Sequence, residues 1–134
     1  GKIVVAQGGK FKLLKVSGPF HSSLLRPAGA KLATVLAQAA IRPPLIPVVA
    51  NVTANYLKTE AEVQELLVRQ VSSPVMWEDS MLRLIADGYN TFVEVGPGKS
   101  LNGFLKRINR QLRCFNVEDA SSLEKTLAEL KGVG

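Results

Sequence analysis

The spacing of apolar residues changes from one segment to the next, and those changes predict alternating strands and helices. Ile3–Ala6 and Phe11–Val16 are short runs rich in β-branched and aromatic residues, separated by Gly8-Gly9, and predict two strands joined by a turn. Ser22 or Ser23 can cap a helix over about Leu24 to Ala40. Pro27 falls in its first turn, where a missing amide costs little, and Ala28, Leu32, Val35, Leu36 and Ala39 fall on one helical face. Pro43-Pro44 ends that pattern. Ile46–Val52 is nearly all apolar, the mark of a strand covered on both faces.

Thr59 and Glu62 have the spacing of a capping box, in which a hydroxyl and a carboxylate satisfy exposed helix amides. The predicted helix continues to about Val71 with Val63, Leu66, Leu67 and Val71 inward. Ser73-Pro74 opens another, carrying Trp77, Met81, Leu84 and Ile85 and stopping at Gly88. Thr91–Val95 reads as a strand, Gly96-Pro97-Gly98 as a tight turn, Leu101–Arg110 as a helix and Arg113–Val117 as a last strand. A second capping box at Ser121 and Glu124 starts a final helix with Leu123, Leu127 and Leu130 inward. Strands alternating with helices predict an α/β fold, a three-layer arrangement with a mostly parallel sheet and helices on both faces.

With 134 residues, 46% hydrophobic and 21% charged, the chain suits one globular domain with a real core, and disorder is not expected. No apolar run reaches the roughly 20 residues that span a bilayer, and no signal-peptide pattern is visible, so no membrane partner is expected. The chain opens on Gly1 and enters an apolar run at once, as a fragment or a trimmed chain would. Its single cysteine, Cys114, cannot form an internal disulfide and fits a reducing, cytoplasmic compartment; in a short strand it reads as an inert thiol. One His and one Cys without paired spacing give zinc almost nothing to bind. The net charge of +6 is scattered, densest at Lys99, Lys106, Arg107, Arg110 and Arg113. A solvated helix face explains that cluster; an acidic partner is the functional alternative, ahead of nucleic acid, because no aromatic residues interleave it.

The only histidine, His21, sits in Val16-Ser17-Gly18-Pro19-Phe20-His21-Ser22, where a strand is predicted to pass into a helix. Imidazole moves protons near neutral pH, so His21 is either a structural residue or a general base. A base needs a nucleophile, and no serine here has the G-x-S-x-G frame of a strand-to-helix elbow. Gln70 points with an apolar stripe and is either a satisfied structural amide or a functional one. Asn51, near the C-terminal end of a predicted strand, has the same two readings. Gly98-Lys99-Ser100 lacks the upstream glycine of a phosphate loop, since position 93 is Val93.

Four segments in order resemble one family: Val16–Ser22; Pro47–Thr53; Leu67–Gln70 with Pro74–Trp77; and Glu94–Leu101. Together they are similar to malonyl-CoA:acyl carrier protein transacylase of bacterial fatty acid synthesis, over about residues 14 to 130, its C-terminal portion. The resemblance implies an α/β-hydrolase-like large subdomain over residues 17–134, with residues 1–16 the remnant strands of a small ferredoxin-like subdomain. Here only Gln7-Gly8-Gly9-Lys10 separates strands that a helix separates in the family, so the small subdomain is shortened or residues are omitted.

The resemblance further implies ping-pong transfer of malonyl from coenzyme A to the phosphopantetheine thiol of acyl carrier protein through a serine acyl-enzyme. It assigns His21 as the general base and Gln70 as the residue whose main-chain carbonyl orients it. Asn51 matches a position near the substrate pocket. Lys99, Lys106 and Arg110 become the candidate contact for the carrier protein. No tightly bound cofactor and no metal are implied. The nucleophilic serine and the carboxylate-binding arginine belong to an N-terminal remainder of the same enzyme, without which this chain is expected to be inactive. Two other readings stand beside this one: an acyltransferase domain of a polyketide or multifunctional fatty acid synthase, and a non-catalytic carrier-protein-binding module.

Overall fold

The computed structural model describes residues 1–13 and 16–132. Its best-formed part is β3–α5–β4–α6: strand β3 (Thr91–Val95), helix α5 (Ser100–Ile108), strand β4 (Arg113–Val117) and helix α6 (Ala120–Lys131). β3 and β4 pair in parallel, from Thr91 opposite Arg113 to Val95 opposite Val117, and α5 makes the crossover that a parallel pair requires. Met81, Leu105 and Leu112 form the buried core, with Trp77, Leu84, Ile85, Phe92, Ile108 and Cys114 packed around it. That core joins α5 and the strands to α4 (Trp77–Ala86).

The other part is helical. A 3₁₀ turn (Ser23–Leu25) leads into α2 (Arg26–Leu36), which packs on α3 (Glu60–Gln70). Between them lies a short antiparallel hairpin of β1 (Val49–Ala50) and β2 (Asn55–Tyr56). Gly29 is the buried residue of α2; a Cβ there would stand 3.3 Å from the Val68 carbonyl oxygen, so its absence lets the two helices close.

Several predicted elements come out differently. Parallel pairing among the described residues is confined to β3 and β4, and the hairpin is antiparallel. Lys2–Ala6 is a short helix, α1, not a strand: Val5 N–H donates to Gly1 O, Gln7 N–H to Ile3 O and Gly9 N–H to Val4 O. Local carbonyls thus satisfy amides that a strand would need a neighbour to satisfy. The second predicted strand, Phe11–Val16, has no strand at Phe11–Leu13 or Val16, and Leu14 and Lys15 lie outside the described residues.

The apolar run Ile46–Val52 yields strand only at Val49–Ala50. Pro47 lacks an amide, and the chain turns at once as Thr53 and Ala54 N–H groups donate to Ala50 O. Helix α2 stops at Leu36, short of Ala40, and Val35, expected inward, is 64% exposed because contact with α3 is made through Gly29 instead. Helix α4 begins at Trp77 rather than Ser73-Pro74, because Met76 has a non-helical backbone with ψ 60°; its N–H donates to Asn51 O at 2.7 Å. Helix α5 ends at Ile108, leaving Arg110 beyond it.

The Thr59/Glu62 capping box forms as expected, with reciprocal bonds of 3.2 Å between the Glu62 amide and the Thr59 hydroxyl and between the Thr59 amide and the Glu62 carboxylate. The last helix is capped elsewhere: Asp119, not Ser121, accepts from Ser122 N–H at 2.8 Å, and the Ser122 hydroxyl accepts from Asp119 N–H at 3.0 Å. A carboxylate caps as well as a hydroxyl and adds charge favourable to the helix dipole. Its buried residue is Thr126, whereas Leu123, Leu127 and Leu130, expected inward, are all exposed.

Candidate functional site

His21 follows a turn, Ser17 to Phe20, rather than a strand, and its backbone is in the left-handed region at φ 57°. Such a conformation in a residue other than glycine costs on the order of 1–3 kcal/mol and persists only where surrounding contacts enforce it. Those contacts are local. A Cβ on Gly18 would meet the Phe20 ring at 3.2 Å, so glycine lets the ring fold back over the chain. The Ser22 hydroxyl does not cap the following helix; it donates backward to Pro19 O at 2.7 Å.

From this turn the imidazole reaches the end of α3, with Nδ1 3.0 Å from the main-chain oxygen of Gln70. A carbonyl oxygen only accepts, so Nδ1 carries the proton, and in the neutral ring the basic lone pair is then on Nε2. Gln70 is the last residue of α3, and a carbonyl in that turn has no amide four residues on within the helix. It also lies at the negative end of the helix dipole, where a developing positive charge on the ring is favoured. His21 itself is exposed.

Gln70 and Asn51 both line one small, mostly apolar hollow of about 180 Å³, together with Val49, Ala50, Leu66 and Leu67. Asn51 is tied through its main chain, which accepts from Met76. Sequence patterning gave both residues two readings, and this hollow is where they share a wall.

Lys99 and Lys106 lie apart from that hollow. They line a groove of about 570 Å³ between α5, β4 and α6, together with Lys125, Cys114 and the carboxylate residues Glu118, Asp119 and Glu129. Arg110, grouped with them by sequence spacing, is not among the groove's lining residues. Arg113 turns instead to its own strand, its guanidinium 5.3 Å from the Phe115 ring centre and donating to Glu129 O at 3.4 Å. Partial burial pushes the Cys114 thiol up, opposed by Lys106, so it is held as the poorly reactive thiol.

Two features were not foreseen. Glu94 reaches from β3 to the start of α5, its two oxygens accepting from Leu101 N–H at 3.1 Å and Asn102 N–H at 2.9 Å. Glu118 accepts from Gly98 N–H at 2.9 Å, and Asn116 Nδ2 donates to Gly98 O at 2.6 Å. The Gly96-Pro97-Gly98 turn, with φ 136° and 89° at its glycines, is thus locked by carboxylates at the amides a phosphate would need, in agreement with the missing loop motif. The second feature joins the hairpin to α4: Tyr56 OH donates to Asp87 at 2.8 Å, while Arg83 donates to Asp87 at 3.0 Å and to Asn55 at 3.0 Å. Hydrogen bonds from Tyr56 and Arg83 hold the Asp87 carboxyl below its ordinary value, and the same bond to Asp87 raises the Tyr56 hydroxyl.

No protein-family model matches the chain. It is 44% identical over 118 residues to a malonyl CoA-acyl carrier protein transacylase of Bacillus subtilis, covering 88% of this chain and 37% of that protein. The Salmonella typhimurium protein of the same name is 38% identical over 130 residues, covering 96% and 42%. Among solved structures, the Clostridium perfringens malonyl CoA-acyl carrier protein transacylase superposes with a TM-score of 0.90 at 40% identity, over 98% of this chain and 42% of that one. A malonyl-transacylase in complex with a type II PKS acyl-carrier protein superposes with a TM-score of 0.88 at 36% identity, over 96% and 42%. The chain therefore spans about two fifths of the length of the relatives it matches. Over nearly all of its own length, it is similar to the malonyl CoA-acyl carrier protein transacylases.

Proposed function

We propose that this chain is the C-terminal portion of a malonyl-CoA:acyl carrier protein transacylase and that it supplies the general base, His21. The observation that carries this reading is the contact from His21 Nδ1 to the Gln70 carbonyl at 3.0 Å. It leaves Nε2 as the nitrogen able to take a proton. Residues 1–16 come from the smaller subdomain and 17–134 from the larger, whose three-layer, mostly parallel sheet is completed by the N-terminal remainder.

In the proposed reaction a serine of that remainder gives its hydroxyl proton to Nε2 as its oxygen attacks the malonyl thioester carbon. The carbon–sulfur bond then breaks, and the departing coenzyme A sulfur takes the proton back from Nε2. The phosphopantetheine thiol of acyl carrier protein repeats the sequence in reverse, giving its proton to Nε2 and freeing the serine. Gln70 O and the C-terminal end of α3 stabilise the imidazolium in each half, where an ordinary triad uses a carboxylate. No resident cofactor takes part. Asn51 lies beside the acyl pocket, and Lys99, Lys106 and Arg110 meet the carrier protein.

The decisive measurement is acyl-enzyme formation from malonyl-CoA by the complete protein and its His21→Ala variant. A fall of about 10² or more is expected; acylation at the parental rate would remove His21 from the reaction. The 134-residue chain alone is expected to transfer nothing.

A further inference from the structure

The His21 backbone, at φ 57°, holds a conformation that a residue with a Cβ leaves when nothing retains it. The residue after it reaches back to the residue two before it. Ser22 Oγ donates to Pro19 O at 2.7 Å, and the Ser22 carbonyl accepts from Leu25 N–H at 3.0 Å. The hydroxyl therefore closes a loop around His21, while the carbonyl ties that loop to the 3₁₀ turn leading into α2. Serine at this place in a sequence reads as a helix cap, yet this hydroxyl makes no capping bond.

We propose that Ser22 is a positioning residue for the His21 imidazole, its hydroxyl holding the left-handed turn that presents Nδ1 to Gln70 O. The inference rests on the reading of His21 as the base. Without the hydroxyl, Pro19 O loses its donor and the turn is no longer closed. His21 then relaxes toward negative φ, which swings its Cα–Cβ bond and withdraws the ring from the 3.0 Å contact. The ring would still be present and basic, but no longer fixed in direction, so the loss should fall on turnover and spare substrate binding.

The test uses the complete protein with Ser22→Ala, Ser22→Thr and Ser22→Val, beside His21→Ala. Ser22→Ala is expected to lower kcat for malonyl transfer about tenfold, about 1.4 kcal/mol, with KM for malonyl-CoA unchanged. Ser22→Thr, which keeps a hydroxyl, is expected to stay within about threefold of the parent, or about 0.7 kcal/mol. Ser22→Val has nearly the same shape without the donor and is expected to follow Ser22→Ala. If Ser22→Ala fails to fold, the Thr and Val pair decides: a gap in kcat between them supports the inference, and equal kcat overturns it. Parental kcat in Ser22→Ala while His21→Ala is inactive overturns the positioning role and leaves the base reading standing. Normal acylation by His21→Ala overturns the base reading and this inference with it.

Discussion

His21 Nδ1 and the main-chain oxygen of Gln70 meet at 3.0 Å although 49 positions separate them in the chain. The accepting atom belongs to the backbone, so replacing the Gln70 side chain does not delete it. Gln70→Ala in the complete protein is therefore expected to keep acyl-enzyme formation within about threefold of the parent, set against the loss of about 10² expected for a missing base. Steady-state and single-turnover acylation by malonyl-CoA check this. A loss in Gln70→Ala as deep as that of His21→Ala would show that the side chain, not the carbonyl, carries the effect.

Lys99 and Lys106 rim one groove, while Arg110 stands outside its lining. Exposed charges mainly steer encounter, and salt screens them within about 8–10 Å at physiological ionic strength. The double variant Lys99→Glu, Lys106→Glu is expected to slow transfer to the carrier protein several-fold at low salt and to leave acylation by malonyl-CoA unchanged. Arg110→Glu alone should have the smaller effect. Carrier kinetics that do not respond to the double reversal at low salt would exclude this groove as the contact.

Asp87 receives hydrogen bonds from Tyr56 and Arg83, which lower its carboxyl below the ordinary value. A lowered value in the folded state means that the contact stabilises above the unfolded carboxylate's titration, near pH 4, and that this stability is lost as pH falls through the folded value. Tyr56 is raised, chiefly by donating to Asp87, so its share is present below about pH 10 and lost as pH rises through the folded value. Asp87→Asn is expected to lower Tm at pH 7 and to converge with the parent in acid. Equal separation of the two melting curves at pH 3 and pH 7 would contradict the ion-linked account.

Some locally fixed elements were legible, although the local Asp119/Ser122 cap was misplaced to Ser121 and Glu124. The Thr59/Glu62 box marks the start of α3, and the bounds of β3 and β4 follow from runs closed by turn residues. Other misread elements depend on partners far along the chain or on none among the described residues. Ile3–Ala6 has strand composition but no strand neighbour among the described residues, and its amides close on local carbonyls. The non-helical residue before α4, Met76, is bonded to Asn51 O, which lies 25 residues before it and has no signature in composition. The site shows the same division. His21 stands out as the sole histidine, but its acceptor on Gln70 is a carbonyl that every residue has, so only resemblance to a family singled it out. Ser22 looked like a cap because both roles use the same hydroxyl, and only the backbone direction separates them.

Glu94 is a further case in which one side chain links two elements. It leaves β3 with its carboxylate toward α5, and both oxygens accept amides of the first helical turn, at 3.1 and 2.9 Å. A carboxylate there does what a capping residue does, satisfying orphan donors and adding negative charge at the positive end of the dipole. It acts from seven and eight residues upstream, across the Gly96–Gly98 turn, and so fixes the exit of β3 relative to α5. Glu94→Gln keeps one acceptor, turns a donor toward the other amide and loses the charge, a cost of about 0.3–1 kcal/mol for the charge and about 1 kcal/mol for the lost bond. Glu94→Ala removes both and leaves a part-buried amide without its partner, a cost of about 1–3 kcal/mol. Thermal or denaturant unfolding of the complete protein should therefore rank the parent above Glu94→Gln and Glu94→Ala last. The turn retains its bonds from Asn116 and Glu118, so acylation measured well below the melting transition should fall much less than in His21→Ala. Unfolding curves that coincide for all three proteins would mean that water serves these amides as well as Glu94 does.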